Sequence, residues 1–190
     1  MKHLIKHAAL VILTGALLFS CEKKDNEIEI TGNLNIGNQT YQLTSGSLWN
    51  YGQAESSYDG YEGFELGLTL ASKGLSLITG DEGWQDVAGE GFYFDCIIYS
   101  ASKDAFIEGE YEFRSNYSGS FPTGTFAFSG YGEYSDKDEK YTWNDITAGT
   151  ITIEKNGDIY TITIDCADGE GNEVSGEYTG KLTYHYPPAE

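Results

Sequence analysis

The feature that most constrains the fold is an alternation of apolar and polar side chains over Gly149–Cys166, GTITIEKNGDIYTITIDC, with Ile159 as the exception. A repeat of two places neighbouring side chains on opposite faces of an extended strand. Asn156-Gly157 is a strong signal for a two-residue hairpin turn, because both residue types adopt positive φ readily. With that pair at the tip, the apolar face comprises Ile151, Ile153, Tyr160, Ile162, Ile164 and Cys166. The predicted register pairs Lys155 with Asp158, Ile153 with Tyr160 and Ile151 with Ile162.

The same alternation recurs along most of the chain. Gly37-Asn38 is a second candidate for a two-residue turn. Phe92–Tyr99 is apolar on both sides, which indicates a central strand covered on both faces. A last strand is predicted over Val174–Tyr184, where Gly176 and Gly180 are candidates for bulges. Further candidate strands are Leu34–Ile36, Thr40–Leu43, Phe64–Leu70, Ile107–Phe113 and Thr125–Tyr134.

These segments predict an all-β fold, with roughly nine or ten short strands joined by Gly-rich turns. We expect residues 32–190 to form a single all-β domain, built as an antiparallel β-sandwich of the jelly-roll kind. A closed β-barrel like that of the lipocalins is the alternative. Both arrangements bury the apolar faces of the strands against one another.

Residues 1–20 have the layout of a secretory signal peptide, with a basic start, an apolar stretch over Ala8–Phe19 and a small residue, Ser20, at the exit. Twelve helical residues span only about 18 Å, too short for a hydrocarbon core of about 30 Å. The residues Leu18-Phe19-Ser20-Cys21 resemble the lipobox of bacterial lipoproteins. That resemblance implies that the chain is cut before Cys21 and acylated on its sulfur. Residues 21–31 would then tether the domain to a lipid membrane.

The charged residues that follow, Glu22-Lys23-Lys24-Asp25-Asn26-Glu27, resemble the export signal of surface lipoproteins of Bacteroidota. A plain solvated tether is the alternative interpretation. The resemblance implies a lipid-anchored protein of the outer membrane that faces the cell exterior, with the periplasmic face as the other option. Residues 149–186 resemble the C-terminal part of uncharacterised lipoproteins of the same group, so this resemblance suggests no particular activity.

The charge excludes nucleic acid as a partner. The full chain carries 30 acidic and 11 basic residues, a net charge of −19, and loss of Lys2 and Lys6 with the signal peptide brings it to −21. So acidic a domain is repelled by the phosphate backbone and by anionic lipid headgroups.

Two cysteines remain in the folded part, Cys96 and Cys166, each in the apolar phase of a strand. An exported protein can keep a disulfide, so a bridge between them is one option. Two buried free thiols are the other, since Cys packs well as a small apolar residue. Their spacing does not match a zinc site.

Nothing in the sequence indicates catalysis, and we expect that the protein is not an enzyme. His185 would be the one histidine left after processing, and no HExxH helix or phosphate-binding loop is present. No metal ligands are assigned and no cofactor is expected. Two acidic clusters leave structural calcium open: Asp136, Asp138 and Glu139, and Asp81, Glu82 and Asp86. Asp168-x-Glu170-x-Asn172 is interpreted as a turn, because it lacks the glycine and final glutamate of a calcium loop.

Aromatic residues in acidic, Gly-rich stretches carry the functional signal. Their rings suit stacking on sugars or contact with a protein ligand. The alternative is that they fill the core or form cross-strand pairs. We therefore expect a surface-anchored, non-catalytic binding or adhesion module, or else an accessory subunit of an outer-membrane complex without a small ligand. The candidate ligand-binding residues are Trp49, Trp84, Tyr131, Tyr134 and Trp143, and Tyr141 lies in the same stretch as the last three.

Overall fold

The structure, a computed structural model, describes residues 30–54, 62–79, 85–115 and 120–185. The regular secondary structure of these residues is all β, which confirms the predicted class. No helix among them has the length and apolar character needed to cross a lipid bilayer. The strands are β1 Thr31–Ile36, β2 Gln39–Gln53, β3 Phe64–Ser72, β4 Leu75–Thr79, β5 Gln85–Ser100, β6 Gly109–Phe113, β7 Thr125–Ser135, β8 Lys140–Tyr141, β9 Asn144–Asn156, β10 Ile159–Asp168, β11 Glu173–Gly180 and β12 Thr183–His185.

Nine of these strands form a closed barrel in the order β5-β3-β2-β1-β11-β10-β9-β6-β7. The barrel closes because β7 pairs with β5 along most of its length, which joins the two edges that a sandwich would leave open. Of the two architectures expected, the barrel is therefore the one observed. Most neighbours are antiparallel, but β6 lies parallel to β7 and β12 lies parallel to β2.

The barrel interior is filled by large apolar side chains contributed by all nine strands. Leu66, Phe94 and Phe126 have no exposed surface at all. The predicted apolar face of Gly149–Cys166 is confirmed, because every member of it belongs to this core. Burial of such side chains contributes about 1.5–3 kcal/mol each, which makes the interior the main source of stability.

The predicted register of the β9–β10 hairpin is wrong by two residues. The turn is Gly157-Asp158, and Asn156 pairs with Ile159 where Lys155 was expected opposite Asp158. Gly157 alone of the two turn residues has positive φ, 62°, as in a turn with glycine at its first position. A shift of two residues keeps every side chain on its predicted face, so the inner set is right although the pairs are not.

The predicted strand over Val174–Tyr184 is interrupted. β11 ends at Gly180, and β12 then pairs with Ser47–Trp49 of β2, beyond the point where β1 stops pairing. Gly176 marks no bulge, since the β11 register runs through it without a shift. It is required for close approach instead: a Cβ there would lie 2.3 Å from the carbonyl oxygen of Asn33.

Of the two alternatives for the cysteines, the disulfide is not formed. Cys96 and Cys166 are both buried free thiols. They enter the core from β5 and β10, which lie on opposite sides of the closed barrel. The Cys166 thiol donates to the carbonyl oxygen of Thr150 at 3.6 Å. Burial raises the pKa of Cys166 to about 12, so the thiol stays neutral at physiological pH.

Strand β5 is covered on both faces, as its sequence predicts. Phe94 and Ile98 point into the core, whereas Tyr93 and Tyr99 point outward and are also buried. Tyr99 is covered by Phe121, whose ring stacks on it at 4.9 Å between centroids. We call the outward side of β2, β3, β5 and β7 the outer wall.

The two ends of the barrel differ in what they carry. At the entry end, β1 begins at Thr31, which pairs with Thr179 near the end of β11. At the far end, β1 finishes at Ile36. Strand β7 runs in the same direction as β1, so Tyr134 lies towards the far end. The segment that precedes Ile30 therefore joins the barrel at the end away from Tyr134.

Candidate functional site

The site is built on the outer wall, where strand β4 and the start of β5 form an arm that packs back against the barrel. The arm bends at Gly74 and Gly89, both with positive φ (102° and 98°). A Cβ at Gly89 would lie 2.2 Å from the carbonyl oxygen of Gly74, so only glycine fits. The bend brings Leu75 against Ala71 and Tyr93, and thereby covers part of the outer wall.

The arm also meets the C-terminal strand. The Thr79 hydroxyl lies 3.3 Å from Nδ1 of His185. The His185 ring stacks on Trp49, with 3.8 Å between centroids and 6° between planes. Burial lowers the pKa of His185, which favours the neutral ring in this position. The contact secures the arm to β2 and gives His185 a structural role.

Beside the arm, four aromatic side chains form a cluster that we call the aromatic face: Tyr93, Tyr134, Tyr141 and Trp143. Tyr141 is exposed, Tyr134 and Trp143 are half-buried, and Tyr93 is buried beneath them. The Tyr93 ring lies 6.1 Å from that of Tyr141 and 6.0 Å from that of Trp143, between centroids. Tyr134 pairs with Tyr141 across the β7–β8 ladder. Tyr141 is 63% exposed, the largest exposed fraction of any large apolar side chain among the described residues.

Two glycines of β7 let the aromatic face lie flat on the barrel. A Cβ at Gly130 would lie 2.5 Å from the Trp143 ring, and a Cβ at Gly132 would lie 1.8 Å from the carbonyl oxygen of Thr142. The Tyr93 hydroxyl donates to that same carbonyl at 3.0 Å. The segment that carries Tyr141 and Trp143 is therefore held against β7 and β5 by close backbone contact.

Two carboxylates, Asp145 and Asp136, lie at the edge of the aromatic face and are held there by hydrogen bonds. The indole Nε1 of Trp143 donates to Oδ1 of Asp145 at 2.6 Å. Asp136 accepts from the backbone nitrogen of Gly89 at 2.6 Å, which together with a hydrogen bond from Tyr134 lowers the pKa of its carboxyl group. The pKa of the Tyr134 hydroxyl is raised in return. The surface is thus aromatic at its centre and anionic at its margin.

One ion pair, between Lys140 and Glu133, lies on the other side of the β7–β8 ladder, in the inward phase of β7 and near Tyr41. Both side chains are about half exposed, so the pair contributes little to stability. The pKa of the Lys140 ammonium is raised by the hydrogen bond with Glu133 and by its charge. Because the cation is matched by its partner, it does not offset Asp136 and Asp145.

Only some of the candidate ligand-binding residues meet here. Tyr134 and Trp143 belong to the aromatic face, whereas Trp84 lies outside the described residues. Trp49 is 2% exposed, stacked under His185, with its Nε1 donating to the Ser47 hydroxyl at 2.8 Å. Tyr131 points into the barrel. The packing interpretation therefore describes Trp49 and Tyr131.

Tyr131 takes part in a hydrogen-bonded cluster at the far end of the barrel, centred on Asp168. The buried carboxylate accepts from the Tyr131 hydroxyl at 2.6 Å, from both nitrogens of Asn172 at 2.8 Å, and from the backbone of Glu170 at 2.9 Å. Burial opposes ionisation of Asp168, but these bonds outweigh it and lower its pKa to about 2. The turn interpretation of this segment is confirmed.

Tyr93 was missed because it lies in the second apolar phase of Phe92–Tyr99 and reads as a packing residue from sequence. Its contact with Tyr141 depends on residues far apart in the chain. The signal that could have found it is the Gly130 and Gly132 pair, since two outward glycines in one strand leave room for another segment.

Among the described residues, no three His, Cys, Asp or Glu side chains are grouped so that they could hold a metal ion. Asp81 and Glu82 of one acidic cluster lie outside the described residues. Comparison of the chain with protein-family models, curated proteins and solved structures finds no match.

Proposed function

We propose that this protein is a lipid-anchored binding module of the bacterial cell surface, and that the aromatic face contacts a glycan ligand. The observation that carries the proposal is the exposed ring of Tyr141, held beside Trp143 and Tyr93 by fixed backbone contacts. A protein gains nothing in stability by keeping a large ring in water, so a clustered and exposed aromatic surface favours a ligand-contact role.

The chemistry of the aromatic face suits a sugar. Flat rings offer apolar area with little loss of side-chain entropy on binding, because their orientation is already set by packing. Carboxylates such as Asp136 and Asp145 at the margin can accept hydrogen bonds from hydroxyl groups, and charge-assisted bonds of this kind are strong. A pyranose ring can make both kinds of contact: its apolar face stacks on an aromatic ring, and its hydroxyl groups at the edge donate hydrogen bonds to the carboxylates.

The position of the aromatic face is consistent with an anchor at Cys21. The chain enters the barrel at Thr31, at the entry end, whereas the Tyr134–Tyr141 pair lies towards the far end. A domain held at its entry end by a short tether would present the aromatic face away from the lipid surface, where a ligand could reach it.

Glycan-array binding followed by titration with the best oligosaccharide tests the ligand. Tyr141→Ala and Trp143→Ala should each weaken binding by about fivefold to thirtyfold, since a stacked ring contributes roughly 1–2 kcal/mol at such sites. Ile107→Ala is the matched control, because Ile107 is an exposed apolar residue away from the aromatic face. Unchanged binding by both aromatic variants would contradict the proposal. A stable co-purifying partner with no glycan bound would favour the accessory-subunit alternative.

The anchor is tested separately with the native product. Cys21→Ala should abolish acylation and release the protein from the membrane fraction, because no other attachment is proposed. Mass spectrometry of the wild type should find an acylated N-terminus at Cys21. An unmodified chain beginning at Met1 and recovered from the soluble cell interior would overturn this part of the proposal.

A further inference from the structure

The geometry points to a charge preference at the aromatic face: it takes oligosaccharides that carry protonated amines, of the glucosamine type, and disfavours acidic ones. This inference rests on the proposed function and adds the substrate class. It is carried by the carboxylates that are held at the edge of the rings and by the net charge of the chain, −19.

Asp145 is the carboxylate best placed to meet a cation. Its Oδ1 accepts the Trp143 indole N–H at 2.6 Å, which fixes the group at the edge of the ring. Its Oδ2 has no donor among the described residues, and the side chain is exposed. An ammonium group on a sugar stacked at Trp143 could therefore bond Oδ2 without displacing a contact within the protein.

The rings themselves favour the same ligand. A cation above an aromatic face is attracted by the ring quadrupole, and Trp and Tyr are the better partners for it. Tyr141 is exposed and Trp143 is half-buried, so a cation can reach both rings, whereas Tyr93 lies buried beneath them. The other margin carries the turn from Asp136 to Glu139, whose three acidic residues outnumber Lys137, and thus adds negative charge on balance.

Acidic ligands meet the opposite situation. A uronate or sulfate group placed at the same edge would face Asp145 and Asp136 at short range, and the field of the whole chain opposes its approach. We expect a protonated glucosamine oligomer to bind roughly tenfold more tightly than its N-acetylated counterpart of equal length. A uronic acid oligomer of that length should bind more weakly than either.

The test is a titration of the full protein with these three oligomers at low and high salt, at a pH at which the amines are protonated. High salt should shrink the preference, because the contacts are exposed and screened. Asp145→Asn retains an oxygen for the indole N–H but removes the charge, and should narrow the ratio between amine and acetylated oligomers severalfold. Asp165→Asn, the same change at an exposed position of β10 on the other side of the barrel, should leave the ratio unchanged.

The outcomes separate the two proposals. Equal affinity for all three oligomers would overturn the charge preference and leave glycan binding in place. Binding of none would overturn both. A lysine-rich peptide that binds more tightly than the glucosamine oligomer would overturn the assignment to an amino sugar, because the carboxylates would then serve a protein ligand.

Discussion

Two sides of this barrel follow the same alternating pattern but are covered differently. On β10 the outward side chains Thr163 and Asp165 are exposed, whereas on β5 the outward Tyr93 and Tyr99 are buried. Both strands send an apolar set into the same core. The difference shows that the outward side chains decide whether a barrel wall needs a second layer. Polar side chains remain in contact with water, whereas apolar side chains have to be buried by other segments of the chain.

The cover of the outer wall comes from four separate segments. Leu75 of the arm and Trp143 pack on one part of it, Phe121 stacks on Tyr99, and His185 stacks on Trp49. These contacts join parts of the chain that are distant in sequence. Tyr141 is the ring of the aromatic face that remains largely exposed above this cover, and for that reason it is available to a ligand.

Alanine substitutions at neighbouring residues of β5 and β10 test this comparison directly. They carry the largest expected changes in the free energy of unfolding. Phe94→Ala should lower the free energy of unfolding by about 3–5 kcal/mol and Ile162→Ala by about 2–5 kcal/mol. The outward neighbours should differ from each other in their contribution to stability. Tyr93→Ala should lower the free energy of unfolding by about 2–4 kcal/mol, but Thr163→Ala by no more than about 0.5 kcal/mol. Urea denaturation measures all four. A Tyr93→Ala variant as stable as Thr163→Ala would show that the outer layer contributes nothing.

The next largest loss of stability is expected at Asp168, because its carboxylate joins the β10–β11 turn to Tyr131 of β7. Its folded pKa of about 2 lies below the ordinary 3.8, so its charge stabilises the fold above about pH 4, and that contribution is lost as the pH falls towards 2. Asp168→Asn should therefore lower stability by roughly 2 kcal/mol at neutral pH and by much less near pH 2. Denaturation across this pH range is the measurement, with the exposed Asp165→Asn as control. A loss that is independent of pH would contradict the assignment.

A substitution in the arm should cause a smaller loss of stability, confined to the outer wall. Gly89→Ala should cost about 1–3 kcal/mol, because a Cβ meets the Gly74 carbonyl oxygen and the backbone has positive φ. Hydrogen exchange should accelerate in Leu75–Thr79 and remain slow at Ile151. Gly171→Ala is the matched control, since it shares the positive φ but has no atom within 4 Å of the added Cβ. Equal losses in both variants would mean that the clash is relieved without moving the arm.

The smallest expected effect is at the most exposed ring. Tyr141→Ala should change the free energy of unfolding by no more than about 0.5 kcal/mol, although it should weaken ligand binding strongly. Thermal and urea denaturation of the variant provide the check. A loss of several kcal/mol would assign Tyr141 to the structural cover of Tyr93 and remove the basis of the aromatic face as a contact surface.

The sequence predicts the candidate site less well than the fold. Tyr134 and Trp143 could be proposed because aromatic residues crowd an acidic, Gly-rich stretch. The same reasoning selected Trp49 and Tyr131, which turn out to be packed against His185 and bonded to Asp168. Composition alone does not separate the two kinds of aromatic residue, since both occur in similar surroundings along the chain.

The alternation of side chains by itself determined the all-β class and the inward set, including Ile153 and Ile164, because a strand has only two faces and one of them must leave water. Only the tertiary structure decided the closure through β5 and β7, the two-residue shift at Gly157, and the arrangement of the outer layer. A shift of two residues keeps the same faces, and ring closure joins strands that are distant in sequence. A local pattern is the same in each of these alternatives, so contacts between distant segments select among them.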